Sequence, residues 1–168
     1  WVTEQLLKHY YVSLETVMLR STYVQSLEYA FDPDFSHISD FDLIVRTSTV
    51  SKLAYIPQVL AKWRVHAGSG TWTSKMAFVL EKKEWILKNG ETQRFASHKD
   101  ALQELRNDIE IQWIQYLLGS GEKDQAKQIM EGMKIDTLKA KLLYVLSFLP
   151  VSGFLIRLHE QMQRSNWF

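Results

Sequence analysis

The sequence predicts an α/β fold in its first part, followed by an all-helical tail. Residues 1–72 mix short β-prone runs with short helical segments. Residues 73–168 instead repeat apolar side chains at three- and four-residue steps almost throughout, which is the period of an amphipathic helix. The length of 168 residues suits one domain with an extension. We therefore expect residues 1–72 to belong to an α/β domain and residues 73–168 to form a helical C-terminal extension.

Composition and charge narrow the classes of function. Hydrophobic residues make up 46% and charged residues 23%, a balance typical of globular proteins. The formal net charge of +1 gives no overall field that would attract nucleic acid, so we expect no nucleic-acid partner. Cys is absent, which excludes disulfides, thiolate metal sites and a Cys nucleophile. The chain starts at Trp1 without a secretory signal pattern or a Met, and we expect it to be part of a longer, cytoplasmic protein.

Three runs in the first region have the composition of β-strands. They are residues 16–20, 53–56 and 59–65, and Pro57 separates the last two. Between the first and second runs, Ser21 is suited to cap a helix that extends to residue 27. This alternation of strands and helices is what predicts the α/β class.

A second helix should begin at Ser39, directly after a loop. Residues 31–35 read Phe-Asp-Pro-Asp-Phe, and both Pro and Asp favour turns. Ser39 is a favourable N-cap, and Asp40 and Asp42 place negative charge at the positive end of the helix dipole. Asp42 and Arg46 have the i, i+4 spacing of an ion pair, which is worth about 0.3–0.5 kcal/mol on an exposed helix surface.

The same helix start is compatible with two roles for its carboxylates. In the first, they only stabilise the helix. In the second, one of them is an active-site base that takes a proton from a hydroxyl group. A helix N-terminus favours the ionised carboxylate that such a base requires. Composition alone favours the first role, but the local pattern fits both and does not decide between them.

Amphipathic stripes predict the helices of the tail. The first stripe consists of apolar residues at helical spacing, namely Leu102, Leu105, Ile109, Trp113 and Tyr116. Residues 119–121, Gly-Ser-Gly, should end this helix. Further helices are predicted over residues 122–133, 138–149 and 151–164, with Pro150 between the last two. The short connections favour antiparallel packing.

Three motifs follow one another in the first region at characteristic separations. They are Phe31-Asp32-Pro33-Asp34-Phe35; Ser39-Asp40-Phe41-Asp42 with Leu43 and Arg46; and Tyr55-Ile56-Pro57-Gln58-Val59-Leu60 leading into Trp63-Arg64-Val65-His66 and Ser69. This succession resembles the C-terminal half of the family 2 glycosyltransferases, which have the A-type fold. The resemblance covers residues 12–73, less than half of the chain. It implies an inverting enzyme that uses a nucleotide-sugar donor.

The resemblance also implies roles for individual residues. Asp40 matches the catalytic base, which deprotonates the acceptor hydroxyl for attack on the anomeric carbon. Ser39 replaces the Glu that the family usually has there, in the vicinity of the acceptor. His66 matches the family's Arg-x-His position, near the donor diphosphate, and is a candidate metal ligand. Arg64 is placed to neutralise the leaving diphosphate.

A divalent metal, Mg or Mn, is the cofactor that the resemblance implies. Its Asp-x-Asp motif should lie upstream of Trp1, together with most of the donor site. Residues 32–34 have the same spelling at a different place in the segment order, so we interpret them as a loop. Trp63 and Trp72 are candidates for stacking on the sugar or the acceptor, with packing in a core as the alternative.

The expected activity is the transfer of a sugar from a nucleotide-sugar to a glycan, lipid-linked or protein acceptor, with inversion, as in polysaccharide biosynthesis. We expect the 168-residue chain alone to be inactive, because the donor half is upstream. The alternative, from another class, is a non-catalytic helical module in which residues 73–168 bind a partner protein.

The end of the chain combines apolar and basic residues. Residues 134–168 contain five Lys or Arg and two acidic residues, and residues 142–156 are nearly all apolar. This composition is compatible with peripheral contact of residues 138–164 with the inner face of a membrane, but we favour the alternative that follows. Burial of the same helices within the tail is the alternative.

Overall fold

A computed structural model describes residues 1–62, 74–132, 142, 145 and 152–165. Its regular elements are helices: α1 (Thr3–Lys8), α2 (Ser21–Ser26), α3 (Ser39–Ser48), α4 (Lys75–Asn89), α5 (Lys99–Ser120), α6 (Lys123–Gly132) and α7 (Ser152–Ser165). Short 3₁₀ turns occupy Leu14–Thr16 and Gln93–Phe95. The chain forms two compact units, Trp1–Asn107 and Asp108–Phe168, and their boundary falls within α5.

The prediction of an α/β first part is wrong. Within residues 1–62 and 74–107 the structure contains helices and turns but no strand and no sheet. The run at residues 16–20 begins at the last residue of a 3₁₀ turn, Thr16, and continues from Val17 as extended backbone. Residues 53–56, and residues 59–62 of the third run, likewise form no strand. The end of that run, residues 63–65, lies outside the described residues.

The physical reason is that β-prone residues form a strand only beside a second strand. The N–H and C=O groups of a strand must be paired across a ladder, and a pleated surface needs a face to pack against. In the described residues these runs have neither a paired strand nor a face to pack against. Met18, Tyr55 and Val59 instead project into solvent, and Val59 is 94% exposed.

The helix starts predicted at Ser21 and Ser39 are confirmed, with a shift of one residue in the cap. Arg20 and Ile38 occupy the N-cap positions, and the two serines are the first helical residues. Neither N-cap residue makes a side-chain capping bond. The segment before α3 is instead held by a side chain of α4, as described below.

Aromatic side chains form the centre of the first unit. Tyr10, Phe41, Trp85 and Phe95 meet edge to face in that order, with ring centroids 5.3, 5.1 and 5.3 Å apart. Trp85 and Phe95 are completely buried. Each such pair contributes about 0.5–1.5 kcal/mol beyond the area that it buries. The row connects the segment after α1 with α3, α4 and the turn that follows α4.

The predicted helices of the tail are confirmed where the structure describes them. The stripe that begins at Leu102 lies on α5, which ends at Ser120 before Gly121, whose φ of 92° suits glycine. The helix predicted over residues 122–133 is α6. The helix predicted over residues 138–149 lies almost entirely outside the described residues.

The final predicted helix is α7, and it belongs to the second unit. The core of this unit consists of apolar residues of α5 and α6: Ile111, Ile114, Leu117, Leu118, Ala126 and Met130. Ile156 of α7 packs against it. In the parts of the chain that the structure describes, no helix is both long and apolar enough to cross a membrane.

A glycine allows α7 to approach the end of α5 closely. A Cβ atom added to Gly153 would lie 2.7 Å from the carbonyl oxygen of Leu118, which is well inside van der Waals contact. The neighbouring atom is backbone and cannot move aside as a flexible side chain would. The contact therefore requires Gly at this position.

We predict that Gly153→Ala lowers the free energy of unfolding by about 1–3 kcal/mol, the usual cost of forcing an extra carbon into packed structure. Gly132→Ala is the matched control, because its added Cβ meets no atom within 4 Å. It should be neutral or stabilising by up to about 1 kcal/mol. Urea unfolding followed by circular dichroism measures both changes. Equal stability of the two variants would contradict the close approach of α7.

Candidate functional site

The carboxylates at the start of α3 have different surroundings. Asp42 is completely buried, and its carboxylate binds Arg46 one turn further along the helix. Arg46 Nε donates to both carboxylate oxygens at 3.0 and 2.9 Å, and a terminal nitrogen donates to Oδ2 at 2.6 Å. The i, i+4 pair predicted from the sequence is therefore confirmed, but it is buried and not on the surface.

Further contacts complete the shell around this pair. Trp85 of α4 donates its indole N–H to Asp42 Oδ1 at 2.9 Å. Arg46 also donates to the carbonyl oxygen of Ala30 at 3.0 Å and stacks over the ring of Tyr29, 5.0 Å from its centroid. Burial alone lowers an arginine pKa, but the bond to Asp42 outweighs it, and the pKa of Arg46 is raised. These contacts give Asp42 a structural role.

Asp40 has the opposite situation, although it is only two residues away. It lies in the first turn of α3 and is partly exposed. The Tyr10 hydroxyl donates to its Oδ2 across a long 3.4 Å. Burial, together with the charge of Asp40, raises the pKa of Tyr10 above its ordinary value, so that Tyr10 remains a proton donor in this contact. Two residues correspond to about 200° around a helix, so Asp40 and Asp42 project from nearly opposite sides.

Glu81 of α4 caps the segment that leads into α3. Its carboxylate accepts the backbone N–H groups of Ser36, His37 and Ile38 at 3.2, 2.8 and 3.1 Å. The Ser36 hydroxyl and His37 Nδ1 also bind it, both at 2.9 Å. Burial acts to raise the pKa of Glu81, but these hydrogen bonds outweigh burial and hold that pKa below its ordinary value. The segment that leads to Asp40 is thus fixed by a residue more than 40 positions away.

Lys88 organises the loop before α3. Its ammonium group binds Asp32 Oδ2 at 2.7 Å and Asp34 Oδ2 at 2.6 Å. The loop is a turn in which the Phe35 N–H donates to the Asp32 carbonyl at 3.1 Å. Burial opposes ionisation of Asp32, but the bond from Lys88 prevails and lowers its pKa. The interpretation of residues 32–34 as a loop is confirmed.

The α4 side of this site is not evident from the sequence motifs. Glu81, Trp85 and Lys88 are spaced by four and three residues, so they lie on one face of α4. That face supplies the cap of the segment before α3, the second partner of Asp42 and the ammonium group that binds the loop. The spacing is visible in the sequence, but a stripe of one acidic, one aromatic and one basic side chain does not show which residues it will contact in the folded chain.

Several residues predicted to form the active site lie outside the described residues. They are Trp63, Arg64, His66 and Trp72. Ser39, predicted near the acceptor, is partly exposed as the first residue of α3, next to Asp40. In residues 1–62 and the other described ranges, no group of three or more His, Cys, Asp or Glu side chains is arranged to hold a metal ion.

Comparison with known proteins gave no relative: no family model, no curated protein and no solved structure matches this chain. The function must therefore be argued from the residues and their geometry.

We predict that Asp42→Asn lowers the free energy of unfolding by about 3 kcal/mol or more, because it leaves a buried guanidinium without its counter-charge. Asp34→Asn is the matched control. The Asp34 side chain is 67% exposed, and removing its pair with Lys88 should cost at most about 1 kcal/mol. Chemical denaturation at neutral pH compares the two. Similar small losses would show that the Asp42–Arg46 pair is not buried in solution.

The lowered pKa of Glu81 predicts a specific pH dependence. A carboxylate with a lowered folded-state pKa adds stability that is complete above its ordinary value of 4.5 and is lost as the pH falls through the folded value. The stability difference between the native chain and Glu81→Gln should therefore be largest near neutral pH and shrink below about pH 4.5.

Urea unfolding at a series of pH values measures this difference. Glu91→Gln is the control, since the Glu91 side chain is 83% exposed, and its curve should run parallel to that of the native chain. A constant gap between the native chain and Glu81→Gln down to about pH 3 would be incompatible with an ionised Glu81 cap.

Proposed function

We propose that this chain is the acceptor-side part of an inverting, nucleotide-sugar-dependent glycosyltransferase, and that Asp40 is its general base. The observation that carries the proposal is the division between two carboxylates of one helix turn. Asp42 is buried and fully engaged by Arg46 and Trp85. Asp40 is partly exposed at a helix N-terminus, where a base can meet a substrate.

The environment of Asp40 suits proton abstraction. Asp40 lies in the first turn of α3, near the positive end of the helix dipole, and is partly exposed. The Tyr10 hydroxyl lies 3.4 Å from one oxygen, Oδ2, and the other oxygen, Oδ1, would take the proton. In the reaction, the acceptor hydroxyl oxygen bonds to the anomeric carbon from the face opposite the diphosphate. The bond from that carbon to the diphosphate oxygen breaks, its electron pair leaves with the nucleotide, and the hydroxyl proton passes to Asp40.

The rest of the site would serve this base by fixing its position. Proximity contributes to catalysis only if the reacting groups are held close to the productive geometry. Glu81 fixes the segment before α3 through three backbone N–H groups. Arg46 and Trp85 fix the buried side of the same helix turn through Asp42. Asp40 is thereby carried on a helix start that is anchored on both sides.

The resemblance to family 2 glycosyltransferases supplies the remaining roles. Arg64 and His66 would face the donor diphosphate, where a divalent Mg or Mn ion adds positive charge that stabilises the leaving group. Ser39, Trp63 and Trp72 would line the acceptor side. The acceptor would be a glycan, a lipid-linked sugar or a protein, and the reaction would belong to polysaccharide biosynthesis on the cytoplasmic side of the membrane.

The all-helical structure of the described residues favours a second candidate, a non-catalytic helical module that binds a partner protein. In that case the acidic start of α3 would serve stability alone. The two candidates differ in what Asp40 does, and the same variant separates them.

We predict that Asp40→Asn in the full-length protein lowers sugar transfer at least about a hundredfold, because general base catalysis contributes about 10²–10⁴-fold. Donor binding should change little, since the base acts on the acceptor. Transfer is measured with a panel of nucleotide-sugars and glycan acceptors in the presence of magnesium or manganese. Calorimetric titration measures donor affinity.

Asp34→Asn serves as the control, because it also removes one carboxylate from the first unit, at an exposed position in the loop before α3. It should retain near-normal turnover. Unchanged turnover in a folded Asp40→Asn protein would refute the role of Asp40 and favour the helical module.

A further inference from the structure

The first unit contains a polar pocket of about 270 Å³. Its lining comes from three places: the segment after α2, the buried arginine of α3, and the end of α4 with the turn that follows it. Pockets for drug-sized ligands measure about 300–1,000 Å³, so this one suits a smaller molecule. Asp40 is not among the lining residues.

Two guanidinium groups offer hydrogen-bond donors to this pocket. The Arg46 side chain is only 8% exposed, and its Nε and Nη2 are bound by Asp42 and by the Ala30 carbonyl. Its other terminal nitrogen, Nη1, has no hydrogen-bond partner among the described residues and carries two N–H groups. Arg94 also lines the pocket and forms no ion pair with any described residue. Two such groups are suited to bind a carboxylate.

The other polar groups of the lining are acceptors. Glu28 forms no ion pair with the residues that the structure describes. Asn89 Nδ2 donates to the Trp85 carbonyl at 3.1 Å, and Thr92 Oγ1 donates to the Asn89 carbonyl at 2.7 Å. Asn89 Oδ1 and the lone pairs of Thr92 Oγ1 therefore remain as acceptors. α4 ends at Asn89, and the negative end of a helix dipole favours a cation there.

The charges of the lining balance one another. Asp42 neutralises Arg46, and the positive charge of Arg94 is matched by the negative charge of Glu28. A ligand that is only anionic would meet the Glu28 carboxylate, and a ligand that is only cationic would meet Arg94. A ligand that carries both charges satisfies both residues.

We propose that this pocket binds a small zwitterion with the chemistry of a free amino acid. The ligand carboxylate accepts hydrogen bonds from Arg46 Nη1 and from Arg94. The ligand ammonium, which has three N–H donors, binds Glu28, Asn89 Oδ1 and Thr92 Oγ1. This binding does not depend on the role of the candidate base, and it applies equally to a catalytic and to a non-catalytic protein.

Thermal unfolding of the chain in the presence of each of the twenty protein amino acids tests the proposal, because a ligand of the folded state raises the melting temperature. We expect at least one of them to bind with a Kd of about 1 mM or tighter in calorimetric titration. The same molecule without its amino group, and its carboxamide, should each bind at least about tenfold more weakly, since each lacks one charged group.

Arg94→Gln and Glu28→Gln should each lower the affinity for that amino acid about tenfold or more. Both residues are exposed, so these variants should keep the fold, which circular dichroism checks. Arg20→Gln and Glu84→Gln are the matched controls, because they make the same exchanges at exposed positions that do not line the pocket. They should bind as the native chain does.

Three results would overturn the proposal. The first is the absence of binding by every amino acid of the panel. The second is binding of inorganic phosphate as tight as that of the best amino acid, which would make the pocket a site for simple oxyanions. The third is undiminished affinity of folded Arg94→Gln and Glu28→Gln proteins.

Discussion

The buried ion pair between Asp42 and Arg46 is the interaction on which the first unit depends. Taking two charges out of water costs several kcal/mol for each ion, and a pair recovers this only when every polar atom is well bonded. Here three hydrogen bonds join the two side chains. In addition, the Trp85 indole donates to Asp42, and Arg46 donates to the Ala30 carbonyl. The pair is therefore stable only while α3, α4 and the preceding loop are assembled together, which makes their packing mutually dependent.

The face of α4 that carries Trp85 extends this dependence to the loop before α3. Four positions before Trp85, Glu81 accepts the N–H groups of His37 and Ile38, just before α3. Three positions after Trp85, Lys88 binds the turn at residues 32–34. One helix thus fixes both ends of the segment that presents Asp40. A change in the register of α4 would disturb the buried pair, the cap and the loop at once, so the position of Asp40 is determined by contacts that Asp40 itself does not make.

The sequence predicted the parts of this structure that depend on local rules. Helix starts at Ser21 and Ser39, the Gly121 stop of α5 and the Asp42–Arg46 spacing follow from periodicity, turn chemistry and helix geometry. The prediction of strands was wrong because a strand needs a neighbouring strand, and composition does not show whether one is present. The burial of the ion pair and the Glu81 cap were missed for the same reason: each is decided by a partner more than 40 residues away.

The two carboxylates of α3 show how such partners decide chemistry. Asp40 and Asp42 are the same residue type in the same helix turn, and both benefit from the helix dipole. Sequence spacing places them on nearly opposite sides but does not say which side is inward. The buried partners settle this, because the Trp85 indole N–H and the Arg46 guanidinium both bind Asp42 and not Asp40. Asp42 is therefore held inside, and Asp40 is the carboxylate of this helix turn that remains partly exposed.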